Sequence, residues 1–138
     1  MRDTNNETDP RYWTTDPNHN DILLRGRNNG RSITFFPQGN SHVIFNGSFY
    51  YHVKGHPNIT RLDLNTRKTT TMELPGMVYS DDRFLYNNIR DYTDLSADTE
   101  GLWAIYSTSY PNNTVVVKMN NMTLKVQVLF LFCEIEKD

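Results

Sequence analysis

Two residues, Asn46-Gly47, constrain the fold of this chain more than any others. They stand between two short apolar runs, His42-Val-Ile-Phe45 and Ser48-Phe-Tyr-Tyr-His52. A two-residue connection that matches the twist of its strands needs positive φ at both positions, which Asn and Gly tolerate best. The spacing therefore predicts a tight β-hairpin. Asn58–Leu64 and Lys68–Leu74 follow as a second pair joined by Asn65-Thr66-Arg67. Glu73-Leu74-Pro75-Gly76 closes the unit, because Pro75 cannot donate to a ladder and Gly76 frees the turn. Upstream, Ser32–Phe36 reads as one strand, and residues 1–31 read as polar, Asn-rich turns with apolar islands at Tyr12-Trp13 and Ile22–Leu24.

The hairpin pattern recurs. Gly47 and Gly101 each precede an aromatic strand, and Asn58-Ile-Thr60 and Asn112-Asn-Thr114 stand at the same offset. Asn65-Thr66 and Asn121-Met-Thr123 then close similar turns, with a slip of a few residues. A repeat near ~50 residues holding about four strands is the period of a propeller blade. A single irregular β-sandwich is the other architecture this spacing allows. Many aromatics (8 Tyr, 7 Phe, 2 Trp), abundant Thr and very little Ala favour an all-β chain in either case.

Charge and cysteine content narrow the function classes. The 138 residues carry 14 basic and 16 acidic side chains, a net charge of −2, so nothing electrostatic directs the chain to nucleic acid or to an anionic membrane. Cys133 is the only cysteine, which rules out an intrachain disulfide. Five sequons, at Asn6, Asn46, Asn58, Asn112 and Asn121, fit N-x-[ST] and point to an extracellular setting. No signal peptide opens the chain, and the apolar run from Val126 to Phe132 is far shorter than the ~20 residues that span a bilayer. The expectation is a directing segment upstream of Met1.

Several segments together resemble the olfactomedin domain, especially its gliomedin-like, collagen-bearing branch. They are Met1-Arg-Asp3-Thr, Gly39–Tyr51, Arg61-Leu-Asp63-Leu, Glu73–Gly76, Asp94-Leu-Ser-Ala-Asp98-Thr-Glu-Gly101-Leu-Trp103-Ala-Ile-Tyr106-Ser, and Val117-Lys-Met-Asn120. The run from Asp94 is the most specific. The resemblance implies a five-bladed β-propeller of which this chain supplies the N-terminal half, about two blades, as a partial domain over residues 1–127. Residues 128–138 depart from the family pattern and read as a divergent tail. A half-ring exposes strand edges, so the expectation is an aggregation-prone or partly ordered product when it is expressed alone.

By the same resemblance Asp94 corresponds to a calcium-binding aspartate in the propeller's central channel. Ca²⁺ takes about six to eight oxygen ligands, and the other family ligands lie beyond residue 127, so calcium is implied for a complete domain only. Tyr92 and Thr93 stand where relatives carry polar residues near that channel, and Ser96, Ala97 and Thr99 depart from the motif. Asp98, Glu100 and Gly101 suit a type I turn. Pairing through Asn46-Gly47 sets His42 opposite Tyr51 beside a Ser41–His52 pair. That would let His42 and His52 approach with His56 nearby; His19 is the fourth histidine. A zinc site needs three or four convergent ligands, which this segment does not supply.

No motif for nucleophilic catalysis or phosphate binding is present. Cys133 is followed by acidic residues that would disfavour its thiolate, and Gly26…Gly30 lacks the P-loop spacing. Arg25, Arg27 and Arg31 read as a solvated basic loop. Asp81-Asp82 and Asp63/Glu73 fix no separation of the kind a glycosidase pair requires. The sequence reading is an extracellular protein–protein interaction module, not an enzyme. Its setting is secreted or on the outer face of a membrane-anchored parent that oligomerises through segments outside this chain. A non-functional truncated isoform and a propeller enzyme acting on glycans are the alternatives.

Overall fold

The computed structural model describes residues 12–16, 21–25, 30–34, 41–79, 85, 91–108 and 113–133. Every regular element among them is a β-strand. Strands β1 (Tyr12–Asp16), β2 (Asp21–Arg25) and β3 (Gly30–Thr34) form a three-stranded antiparallel sheet in chain order. This sheet is more than the sequence reading held. The two apolar islands are the starts of β1 and the middle of β2, and β3 begins ahead of the expected Ser32 because its pairing with Asp21–Arg25 sets its bounds.

Two four-stranded antiparallel meanders follow. The first holds β4 (Val43–Phe45), β5 (Ser48–His52), β6 (Asn58–Asp63) and β7 (Thr69–Glu73); the second holds β8 (Thr93–Asp98), β9 (Gly101–Ser107), β10 (Asn113–Met119) and β11 (Val126–Cys133). Each is the up-and-down unit from which propeller blades are built. The position at which the divergent tail was expected to begin, residue 128, lies inside β11.

Local turn chemistry explains most of the connections. Asn46 and Gly47 have φ of 50° and 78°, as the type I′ hairpin requires, and the ladder runs Val43↔Tyr50, Ile44↔Phe49, Phe45↔Ser48. The turns after β6 and β10 are copies of one another. Asp63 Oδ1 accepts from the amides of Asn65 and Thr66 at 2.9 and 3.0 Å; Asn120 Oδ1 accepts from Met122 and Thr123 at 2.8 and 3.0 Å. Thr66 and Thr123 then each accept from a lysine amide two residues on, at 3.3 Å. Both turns end in a non-glycine residue at φ 62°, Arg67 and Leu124.

The two meanders share one core. Tyr50, Ile59 and Leu74 from the first pack with Leu95, Leu102, Ala104, Tyr106, Val115, Val117, Met119 and Leu124 of the second. The opposite face of the first meander is also buried, through Ile44, Phe49, Leu62 and Leu64. In the second meander strict alternation leaves Trp103, Ile105, Val116 and Lys118 half-buried on the far face. There the Lys118 ammonium lies 5.6 Å from the Trp103 ring centroid, a cation–π contact.

Candidate functional site

The edge strands β4 and β8 of the two meanders pack against each other, and Ser41 joins them from the residues that lead into β4. Its hydroxyl accepts from the Leu95 amide at 2.7 Å and donates to Asp94 Oδ1 at 3.3 Å. Asp94 is half-buried, and its neighbour Thr93 is buried, donating through Oγ1 to the Ile105 carbonyl at 3.0 Å. One carboxylate and one hydroxyl do not make the ~6–8-oxygen shell that Ca²⁺ takes. Among the described residues no group of three or more His, Cys, Asp or Glu side chains is placed to hold a metal ion.

The histidines separate. His42 packs its ring against Phe49 (centroids 5.6 Å, tilted 57°), and Phe49 stacks on Tyr51 at 5.5 Å. His52 is buried on the other face, edge-on to Tyr92 at 6.1 Å. Its Nε2 donates to the His56 carbonyl at 2.6 Å, since a carbonyl can only accept, and its buried Nδ1 has no hydrogen-bond partner. The expected approach of His42 to His52 is thus overturned. Tyr51 is the cross-strand counterpart of His42, so the next residue, His52, must point to the opposite face. Burial pushes the pKa of His42 down from 6.5 to about 4 and that of His52 down as well. His56 is exposed. His19 lies outside the described residues.

Asp98 holds its turn as the sequence implies: Oδ1 accepts from the amides of Glu100 at 2.8 Å and Gly101 at 3.1 Å. Gly101 has φ 147°, which an L side chain rarely adopts. Of the sequons, Asn46 is exposed at the hairpin tip, while Asn58 and Asn121 are half-buried at the start of β6 and in the turn after β10. Asn6 and Asn112 lie outside the described residues, as do Gly26, Arg27, Asp81 and Asp82. The strand positions of Arg25 and Arg31 are described, in β2 and β3.

What the sequence did not reveal is how the two meanders are locked. Tyr50 in β5 donates its hydroxyl to the Asn121 carbonyl at 2.6 Å, reaching the turn before β11. Tyr106 in β9 donates to the Pro75 carbonyl at 2.9 Å, reaching back to the segment after β7. Burial pushes the Tyr106 phenol up to about 12, so the hydroxyl remains a donor at any physiological pH. Backbone pairing continues the contact: the Val78 amide donates to the Ser107 carbonyl at 2.8 Å, and Met77 bridges Thr108. The sequence signal was the two buried-length tyrosines themselves, since a core Tyr usually finds an acceptor for its hydroxyl.

Comparison with known proteins follows the same lines. The olfactomedin-like domain family matches residues 1–132. Olfactomedin-4 of Homo sapiens is 35% identical over 109 residues, covering 77% of this chain and 21% of that protein. Olfactomedin-4 of Mus musculus is 35% identical over 94 residues, covering 66% and 18%. Myocilin of Oryctolagus cuniculus is 35% identical over 89 residues, covering 62% and 18%. The chain spans about a fifth of the length of these relatives.

Proposed function

Because the chain belongs to the olfactomedin-like domain family, we propose that it is part of a rigid recognition module of an extracellular protein. The module engages other proteins in cell adhesion, matrix assembly or receptor organisation. The observation that carries this reading is the double tyrosine lock. Two meanders with a continuous core are held by directed hydrogen bonds, so their connecting turns form a fixed surface. A fixed surface lowers the entropy lost on binding. Function then resides in the turns and the blade faces, and the scaffold does no chemistry of its own.

Two further assignments belong to this reading. Glycans on Asn46, Asn58 and Asn121, with Asn6 and Asn112, would mark the faces that partners leave free; Asn46 is the best supported, being exposed. Asp94, half-buried beside Ser41, is proposed as one calcium ligand of a longer domain, with the remaining oxygens supplied from outside the described residues. No helix of the described residues is long and apolar enough to cross a membrane.

The test is cell-surface binding by the chain secreted behind a heterologous signal sequence. Saturable binding that trypsin treatment of the cells removes, with a mobility shift of the probe after N-glycosidase, is the expected result. No protein-dependent binding would refute the proposal. So would turnover of a glycan or ester substrate that Asp94→Ala abolishes in folded protein.

A further inference from the structure

Beside the Tyr50 lock, a second side chain of the first meander reaches the same turn of the second. Arg61 stands directly opposite Tyr50 in the β5–β6 ladder, so the two side chains leave the sheet on one face. Tyr50 takes the Asn121 carbonyl, and Arg61 takes the next residue: its Nη2 donates to Met122 Sδ at 3.6 Å. Both ends of this contact are held. Arg61 Nη2 lies 3.6 Å from Asp63 Oδ2, and Asp63 Oδ1 is fixed by the amides of Asn65 and Thr66. The Met122 amide donates to Asn120 Oδ1 at 2.8 Å. A thioether is a weak acceptor, and Arg61 Nε is buried without a hydrogen-bond partner. A guanidinium rich in donors thus faces a side chain poor in acceptors. Met122 is also 55% exposed, whereas Met77 and Met119 are buried and Met72 is half-buried.

We propose that Met122 is a peroxide-reactive methionine whose sulfoxide tightens the tie between the two meanders. Arg61 covers one lone pair of the sulfur and leaves the other to solvent. That free pair attacks the terminal oxygen of a hydroperoxide: an S–O bond forms, the O–O bond breaks, and the proton of the transferred hydroxyl passes to the departing oxygen, which leaves as water or an alcohol. The sulfur is oxidised to the sulfoxide, and the peroxide is reduced by the same electron pair. Sulfoxidation commonly loosens a protein because it sets a polar group in an apolar contact. Here the polar group meets a cation. The flexible methionine side chain turns the new oxygen to the guanidinium, and an oxygen acceptor on a charged N–H makes a shorter and stronger bond than a thioether does. Methionine sulfoxide reductases restore the thioether, so the tightening is reversible. Both partners belong to the two packed meanders, and the inference is independent of the recognition function proposed above.

Dilute hydrogen peroxide, applied to the chain in a Cys133→Ser background, tests both the site and its effect. Peptide mass spectrometry should find one added oxygen at Met122 before Met72, Met77 or Met119 gains any. The singly oxidised protein should unfold at a higher urea concentration than the reduced protein, with the slope unchanged. Reductase treatment should return the midpoint to its starting value. Arg61→Leu should still be oxidised at Met122 but show no upward shift. Met122→Gln offers an oxygen acceptor without any oxidation and should unfold above Met122→Leu, which keeps the test independent of how the Arg61 variant folds. Oxidation of Met72, Met77 or Met119 as readily as Met122 overturns the proposal. A midpoint that falls or stays unchanged on oxidation of Met122 overturns it as well.

Discussion

The matched turns after β6 and β10 offer a controlled experiment inside one chain. Arg67 and Leu124 share φ 62° and the same position relative to an Asx cap, but Arg67 is exposed and Leu124 is completely buried. A non-glycine residue in the left-handed region costs about 1–2 kcal/mol. Glycine removes that strain but makes the unfolded chain more flexible, offsetting about 0.5–1 kcal/mol. Arg67→Gly should therefore leave stability unchanged or raise it by about 0.5–1 kcal/mol. Leu124→Gly gains the same backbone relief and loses a fully buried leucine, a deletion that typically costs about 2–5 kcal/mol. Its net effect should be a destabilisation of about 1–4 kcal/mol, and since the backbone terms are common to both, Leu124→Gly should be less stable than Arg67→Gly by about 2–5 kcal/mol. Urea unfolding read by tryptophan fluorescence, with the slope held constant between variants, measures both. Equal changes at the two positions would refute the reasoning, because they would mean that backbone conformation and not burial decides each turn. A clear destabilisation by Arg67→Gly would refute it from the other side.

The tyrosine locks and the buried histidines give two more expectations. Tyr50→Phe and Tyr106→Phe each leave a carbonyl without its donor and should cost about 1–2 kcal/mol. Because both bonds span the same pair of meanders, the double variant should depart from additivity by at least ~0.5 kcal/mol; strict additivity in urea unfolding would show that the locks act separately. His42 has a folded pKa lowered from 6.5 to about 4, so the unfolded chain takes up a proton that the folded chain refuses. Its contribution is present in full above pH 6.5 and is lost as pH falls toward about 4, with His52 acting in the same direction. The loss should be on the order of 2–3 kcal/mol across that window. His42→Gln should flatten the pH dependence of the urea midpoint, and an unchanged slope in that variant would exclude His42 as the cause.

Legibility in the sequence follows the range of the interaction. The Asn46-Gly47 hairpin and the Asp98 turn were readable because the positive φ and the Asx acceptor act within three residues of the side chain that supplies them. The slip in the repeat also has a local cause, since β9 and β10 are longer strands than β5 and β6. Ser41 was invisible as a partner of Asp94 because 53 residues separate them, and Tyr50 lies 71 residues from its acceptor. No periodicity records such a pairing. The expected approach of His42 and His52 failed for a different reason: the hairpin ladder sets them one rung apart, and strand parity sends neighbouring rungs to opposite faces. The first sheet was hidden by composition, since strands β1 to β3 mix eight polar residues with six apolar ones and show no clean strand period.

The division of labour between apolar and polar contacts decides how rigid the assembly is. Burial of Ile59, Leu74, Leu102 and Val117 holds the meanders together but is non-directional, and it would tolerate sliding or rotation of one sheet on the other. Three hydrogen bonds remove that freedom at separate points: Leu95 to Ser41, Tyr50 to Asn121, and Tyr106 to Pro75. Two of them run in opposite senses, one from each meander to a backbone carbonyl of the other, so a slide that preserves one breaks the other. Each broken bond would strand a carbonyl in a low-dielectric interface, at about 1–3 kcal/mol. The pair of sheets therefore behaves as one body, and the turns it carries keep fixed positions relative to one another.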